Sequence, residues 1–292
     1  MKALQNLIGE LEQDPSLDEP HRLRRRIEAL DHLDAHLSDG QISDVVPESI
    51  EAALYHQARA LYAKLESANF KFYQAIRHDI QRGVGPDSLL RWVPKSGRTA
   101  TEVNLANGES YDYLDDLISG VLQFRSPSAE VVHLPAEMVF YQPTPARHIF
   151  DLIDRIALTE RDLLIDLGSG LGHVPLLFSI CTGARCIGIE LEAAYVDCAR
   201  DSAQALNLNN VTFIQRDVRE SDLSGGTVFY LYTPFTGTVL RAVLNSLRQE
   251  ALSREIRICT FGPCTRIVAE EQWLKVVETL ETGRIAIFRS LN

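Results

Sequence analysis

Asp162-Leu-Leu-Ile-Asp-Leu-Gly-Ser-Gly-Leu-Gly172 is the stretch whose reading decides the fold. Leu163 to Leu167 is a short apolar run of the kind that forms a buried parallel strand, and Gly168, Gly170 and Gly172 break it at once. From His173 to Cys181 the pattern turns helical. A strand that feeds a glycine turn and then a helix is a cradle for a nucleotide-like ligand. Glycine lets the backbone approach closely, and the N–H groups at the start of the helix are free to bind polar groups.

The spacing bears on which ligand. A dinucleotide fingerprint wants G-x-G-x-x-G, and His173 stands where its last glycine should be. The pattern is instead Asp-x-Gly-x-Gly-x-Gly, with Asp166 closing the strand. Downstream, Arg185-Cys-Ile-Gly-Ile-Glu190 is a second short strand ending in a carboxylate, placed to accept from both hydroxyls of a ribose. A third strand, Val211-Thr-Phe-Ile-Gln215, leads into Arg216-Asp217-Val218. Carboxylates after three consecutive strands line the carboxyl edge of a parallel sheet, where such folds bind ligands.

Asp166-Leu-Gly-Ser-Gly-Leu-Gly172, Gly188-Ile-Glu190 and Gln215-Arg-Asp217 resemble the first three motifs of the class I S-adenosylmethionine-dependent methyltransferases. Ile165 to His173, with the upstream Tyr141-Gln-Pro-Thr144, resembles the non-SET histone-lysine methyltransferase class and its bacterial relatives. The resemblance implies S-adenosylmethionine as cofactor, held by Asp166, Gly168, Ser169, Gly170, Gly172, Glu190, Asp217 and Val218. It also implies that Tyr141 and Thr144 meet the methionine end of that cofactor. Prolines at 143 and 145 make the segment a rigid turn before a helix marked by Ile149, Leu152, Ile153 and Ile156.

The remaining chain fits that frame. Residues 227–232 read as a fourth strand, residues 256–261 as a fifth, and residues 273–280 and 284–289 as a terminal antiparallel pair. A helix marked by Val239, Leu240, Val243, Leu244 and Leu247 separates the fourth and fifth strands, and residues 262–264 read as a turn. The expected fold class is α/β, a doubly wound, seven-stranded, mostly parallel sheet behind an all-helical N-terminal region. The expected division is 1–85 helical, 86–138 connector and possible substrate lid, and 139–292 catalytic domain.

In the helical region, Leu4, Leu7, Ile8 and Leu11 form one apolar stripe. Leu23, Ile27, Leu30, Leu33 and Leu37 form a second, stopped at Gly40. Pro47 opens a longer helix, ended by Gly83-Val-Gly-Pro86. The basic run at residues 22–26 reads as the solvated face of a helix, and Tyr55, Tyr62, Phe70 and Tyr73 read as packing residues. Residues 92–98 read as loop.

Thr233-Pro-Phe235 closes the fourth strand. Superfamily members that methylate amino groups often carry Asn/Asp-Pro-Pro-Tyr/Phe there, and Thr233 departs from that pattern. Tyr232, Thr233 and Tyr113 are the catalytic candidates. Tyr111, Tyr113, Asp115 and Asp116 either border the substrate pocket or belong to a capped surface helix docked by Leu114, Leu117 and Ile118.

Composition narrows the partners. The chain has 292 residues and a net charge of -11, which disfavours sequence-independent nucleic-acid binding. No apolar run approaches the ~20 residues that span a bilayer. The Met1-Lys-Ala-Leu-Gln-Asn start, followed by acidic sequence, shows no secretory signal, and five cysteines without a C-x-x-C pair read as reduced buried thiols. A cytoplasmic location is expected. His133, His148 and His173 lack ligand spacing, so no metal is expected. The residues leave the acceptor open between an amine of a protein or small molecule and a small-molecule hydroxyl, and say nothing of the oligomeric state. The competing readings are a binding or scaffold protein that kept the fold without turnover, and an NAD-dependent oxidoreductase.

Overall fold

The computed structural model describes residues 1–38, 50–94, 110–127 and 137–291. The expected stop at Gly40, the helix opening at Pro47, residues 95–98 of the expected loop, and His133 lie outside the described residues. The chain divides into a helical unit, Met1–His78 with Asp112–Val121, and a sheet unit, Asp79–Tyr111 with Leu122–Asn292. The first helices in chain order are α1 (Lys2–Glu12), α2 (Leu23–Ser38), α3 (Ile50–Gln81), the short α4 (Asp87–Leu90) and α5 (Tyr113–Leu122).

In the helical unit, Leu4, Ile8 and Leu11 of α1 meet Ala29 and Leu33 of α2 and Ala58, Leu61 and Leu65 of α3. Three- and four-residue spacing puts each set on one helix face, so burial of those faces holds the bundle together. Asp14 caps the turn Pro15–Asp18 by accepting from the Ser16 N–H at 3.0 Å. Tyr73 lies where a side chain on Gly120 would otherwise stand, which lets α3 approach α5 closely. Burial, with Asp116 adding to it, pushes the Tyr73 hydroxyl up to about 12.

The basic run is not wholly solvated. Arg24 and Arg25 make surface ion pairs with Glu28 and Glu10, but Arg26 is buried. Its guanidinium donates to Asn69 Oδ1 at 2.5 Å, Leu17 O at 3.0 Å and Glu19 O at 2.6 Å. The charge is tolerated because its donors are satisfied by groups that need them equally. Arg26→Met should therefore cost about 3 kcal/mol, read as a lowered urea midpoint, because several acceptors lose their donor at once. A loss no larger than for Arg24→Met would contradict this. Phe70 also departs from expectation and remains exposed.

The sheet unit contains α6 (Ala146–Ile156), β1 (Leu163–Leu167), α7 (His173–Thr182), β2 (Arg185–Glu190), α8 (Ala193–Ala205), β3 (Val211–Gln215), β4 (Val228–Leu231), α9 (Gly237–Ala251), β5 (Arg257–Thr260), α10 (Cys264–Ala269), β6 (Leu274–Val276) and β7 (Ala286–Ser290). Seven strands form one sheet in the order β3-β2-β1-β4-β5-β7-β6. The first five are parallel, and β7 is inserted antiparallel between β5 and β6. Strand order reverses between β1 and β4, and such a switch point opens a crevice at the strands' carboxyl ends. Register places Asp166 of β1 between Gly188 of β2 and Tyr230 of β4.

One core layer joins Val239, Leu240, Val243, Leu244 and Leu247 of α9 to Ile165, Leu167, Phe229, Leu231, Ile258 and Phe288 of the sheet. Residues 174–181 of α7 are buried on every side, as expected of a helix enclosed by its own domain. Asp162 anchors the start of β1 through Arg257 Nη2 at 2.7 Å and Thr227 Oγ1 at 3.1 Å. The residues expected to form a turn at 262–264 lead into α10, begun after Pro263, because proline suits the first positions of a helix. No described helix is long and apolar enough to cross a membrane.

Candidate cofactor site

A cavity of about 550 Å³ opens at the carboxyl edge of the sheet, across the switch point between β1 and β4. Its floor is Asp166, Gly168 and Ser169 after β1, Glu190 to Glu192 after β2, and Arg216 to Arg219 after β3. The opposite wall is Tyr230, Tyr232, Thr233, Pro234 and Phe235 at the end of β4, with Pro263 after β5. Residues 137–144 cross it as a strap, every one of them lining the cavity. The volume suits one cofactor-sized ligand.

The glycine loop is shaped by what packs where its side chains are missing. Gly168 has φ +94° and Gly170 φ +51°, conformations that residues with a Cβ rarely adopt. A Cβ on Gly168 would overlap the Pro234 ring, and one on Gly170 would overlap the Tyr141 ring. Gly172 is backed in the same way by Phe213. Gly168 lines the cavity.

Asp166 is buried, and among the described residues no donor reaches its carboxylate. Burial, reinforced by the charge of Glu190, pushes its carboxyl well above the usual range. Next to it, Ser169 Oγ is buried with no partner among the described residues. A buried acceptor and a buried hydroxyl without partners are costly unless something else supplies the contacts. A ligand ammonium and polar groups fit both.

Glu190 is more committed than the sequence suggested. Its Oε2 accepts from Gly170 N–H at 2.8 Å, and its Oε1 from Leu191 and Glu192 N–H at 2.7 and 3.0 Å. Of roughly four lone-pair sites on a carboxylate, three hold backbone N–H groups, which leaves one on Oε2. Asp217 is likewise engaged, capping the turn Val218–Glu220 and pairing with Arg219 at 2.6 Å. The hydrogen bonds and charge of Arg219 hold its carboxyl below the usual range. Val218 lines the cavity beside it.

Thr144 and Tyr141 both line the cavity. Thr144 Oγ1 hydrogen-bonds Tyr230 Oη at 2.7 Å, and Tyr141 Oη meets His173 Nδ1 at 3.0 Å. Tyr230 and Tyr195, which no motif in the sequence marks, also line the cavity, as does Pro234. A tyrosine in the middle of the fourth apolar run was the available signal for Tyr230.

The catalytic candidates divide. Tyr232 and Thr233 line the cavity. Thr233 adopts φ 39°, unusual for a β-branched residue. Its hydroxyl is spent on structure, donating to Phe261 O at 3.1 Å and accepting from Cys264 N–H at 3.1 Å. These bonds tie the end of β4 to the residues that follow β5. Thr233→Val should cost about 2 kcal/mol of stability by leaving two buried backbone groups unpaired; urea unfolding matching wild type would contradict this. Tyr113 belongs to the helical unit, where Arg24 lies over its ring at 5.9 Å. Asp115 and Asp116 share that unit, and Asp115 accepts from Asp112 N–H at 2.7 Å. Among the described residues, those that line the cavity all belong to the sheet unit. Tyr111 differs: its hydroxyl donates to Pro143 O of the strap at 2.9 Å. No cluster of three or more potential metal ligands occurs among the described residues.

Residues 137–220, under a third of the chain, match the model of the family described as Histone methylation protein DOT1. The matched span covers the strap, the glycine loop and the ends of β2 and β3. The sheet unit has the expected α/β architecture, a doubly wound, seven-stranded, mostly parallel sheet. An RNA methyltransferase from Salinibacter ruber, solved with S-adenosyl-L-homocysteine, is 26% identical over 51% of this chain and 92% of its own, with a TM-score of 0.40. A precorrin-6y C5,15-methyltransferase from Geobacter metallireducens is 16% identical over 51% and 89%, at 0.40. The human methyltransferase 10 domain containing protein is 13% identical over 60% and 92%, at 0.41. No curated protein matches the chain.

Proposed function

We propose that this protein moves the methyl group of S-adenosylmethionine to a nitrogen of a protein substrate. The observation that carries the cofactor half is the buried Asp166, lacking a donor, beside the orphaned hydroxyl of Ser169 in a cavity at the sheet's switch point. When bound, the cofactor supplies a methyl group already activated on a sulfonium, so transfer needs an aligned nucleophile and exclusion of water. Asp166 and Ser169 would bind its polar end. Glu190, with one free lone-pair site, and Asp217 would take its hydroxyl and amino donors. Tyr141, Tyr232 and Phe235 would exclude water from the reacting centre.

The acceptor half rests on the family description and on charge. The matched family is described by histone methylation, and a net charge of -11 favours a basic protein over a nucleic acid as partner. The five cysteines are all buried and free, which supports a reducing, cytoplasmic compartment. A second reading, transfer to a small-molecule hydroxyl, draws on Thr233, whose hydroxyl is tied to Phe261 and Cys264 where amine methyltransferases place an amide or acid.

The test is formation of S-adenosylhomocysteine from S-adenosylmethionine in the presence of a lysine-rich protein, a polyamine or a phenol, with mass spectrometry of each acceptor. Methylated lysine is expected. Product with the phenol alone supports the second reading, and cofactor binding without product from any acceptor supports a non-catalytic binder.

A further inference from the structure

The strap is fastened at both ends by contacts that need no ligand. At the first end, Thr236 N–H donates to Glu137 O at 2.8 Å and Val139 N–H to Pro234 O at 3.1 Å. At the other end stands the Thr144–Tyr230 hydrogen bond. Between them the side chains diverge. Phe140 is 84% exposed, whereas Tyr141 turns inward, its ring over Gly170 and 5.1 Å from the ring of Tyr195. Its hydroxyl reaches the first residue of α7, His173. The His173 ring is held from elsewhere by Phe124, at 4.7 Å.

We propose that His173 is a positioning residue whose Nδ1 holds the Tyr141 hydroxyl and so fixes the middle of the strap against the glycine loop. The inference rests on the reading of the cavity as a cofactor site and adds how its cover is held. In this arrangement the phenol of Tyr141 donates its proton to Nδ1. The arrangement calls for the His173 tautomer that carries its proton on Nε2. Burial lowers the His173 pKa to about 4, so the ring stays neutral and Nδ1 remains an acceptor. Packing on Gly170 places the tyrosine ring, and the hydrogen bond selects the inward rotamer over an outward one like that of Phe140.

The two nitrogens of histidine can be told apart by substitution. Asparagine puts a polar atom near the position of Nδ1, and glutamine puts one near that of Nε2. Titration with S-adenosylhomocysteine should show Tyr141→Phe and His173→Gln each weakening binding about tenfold, the usual effect of one lost buried hydrogen bond. The double variant should bind no worse than either, and His173→Asn should stay within about threefold of wild type. Thermal unfolding of each variant checks that it is folded. Effects that multiply, or rescue by glutamine instead of asparagine, would overturn the proposal, because His173 would then act on the ligand directly. If wild type binds no S-adenosylhomocysteine, the functional reading fails and amide exchange of the free protein decides the latch. Exchange at residues 139–142 should quicken in Tyr141→Phe and His173→Gln but not in His173→Asn, and unchanged exchange throughout would sink it.

Discussion

Asp166→Asn should weaken S-adenosylhomocysteine binding by at least about a hundredfold, a loss typical of one partner in a buried charged hydrogen bond, while making the free protein more stable. Both effects come from the same unpaired carboxylate. In the free protein, burial and Glu190 raise the Asp166 pKa above its unfolded value. The folded state then binds the proton more tightly than the unfolded one, and stability declines as pH rises from the ordinary aspartate pKa through the folded value. Above that window the full penalty is present. Asparagine removes the charge, and the expected gain is on the order of 1 kcal/mol, in the range seen when a functional residue is relaxed. The gain should vanish in acid, where wild-type Asp166 is protonated in both states. Thermal unfolding at neutral and acid pH, alongside calorimetry, measures both halves. A variant that binds normally, or is less stable at neutral pH, would show that Asp166 is an ordinary structural aspartate.

The second large effect is expected from Gly170→Ala. The backbone there has φ +51°, and the added methyl would occupy the space of the Tyr141 ring. Left-handed conformation costs about 1 kcal/mol for a residue with a Cβ, and overpacking typically adds about 1–3 kcal/mol. The ring is pushed off the loop, and the Gly170 N–H contact to Glu190 is strained with it. Stability should fall by about 2–4 kcal/mol and ligand binding should be lost. Gly183→Ala is the useful control. It too has positive φ, +71°, but nothing lies within 4 Å of its missing side chain, so it should cost only about 1 kcal/mol and leave binding intact. Equal losses at both positions would mean that φ alone matters and that Tyr141 does not press on the loop.

Much of the sheet was legible because parallel strands buried on both faces leave short apolar runs, and the first three end at or near a glycine or carboxylate. Asp166, Glu190 and Asp217 could be placed on one edge by that rule alone. Their state could not. Glu190 looks like a ligand residue in the sequence, yet three backbone amides take most of its capacity, and those amides come from two separate loops. Asp217 looks free until the turn at 218–220 brings Arg219 back onto it. Thr233 stands out in the sequence by its position at the end of β4, but its hydroxyl partners, Phe261 and Cys264, lie about thirty residues away and meet it only because β4 and β5 are neighbours. Periodicity reports which face of an element is buried, not which groups from other elements wait there. The same limit hid Arg26, an arginine in a basic run whose partners are carbonyls in the preceding turn and Asn69 on another helix.

The most direct test of the account is calorimetric titration of the wild-type protein with S-adenosylhomocysteine, with NADH as the competing ligand and Asp166→Asn as the control. One-to-one binding of S-adenosylhomocysteine, lost in the variant, with no binding of NADH, is the result expected from a cavity built around an unpaired buried carboxylate. Failure of folded wild-type protein to bind S-adenosylhomocysteine, or binding of NADH in its place, would contradict the assignment.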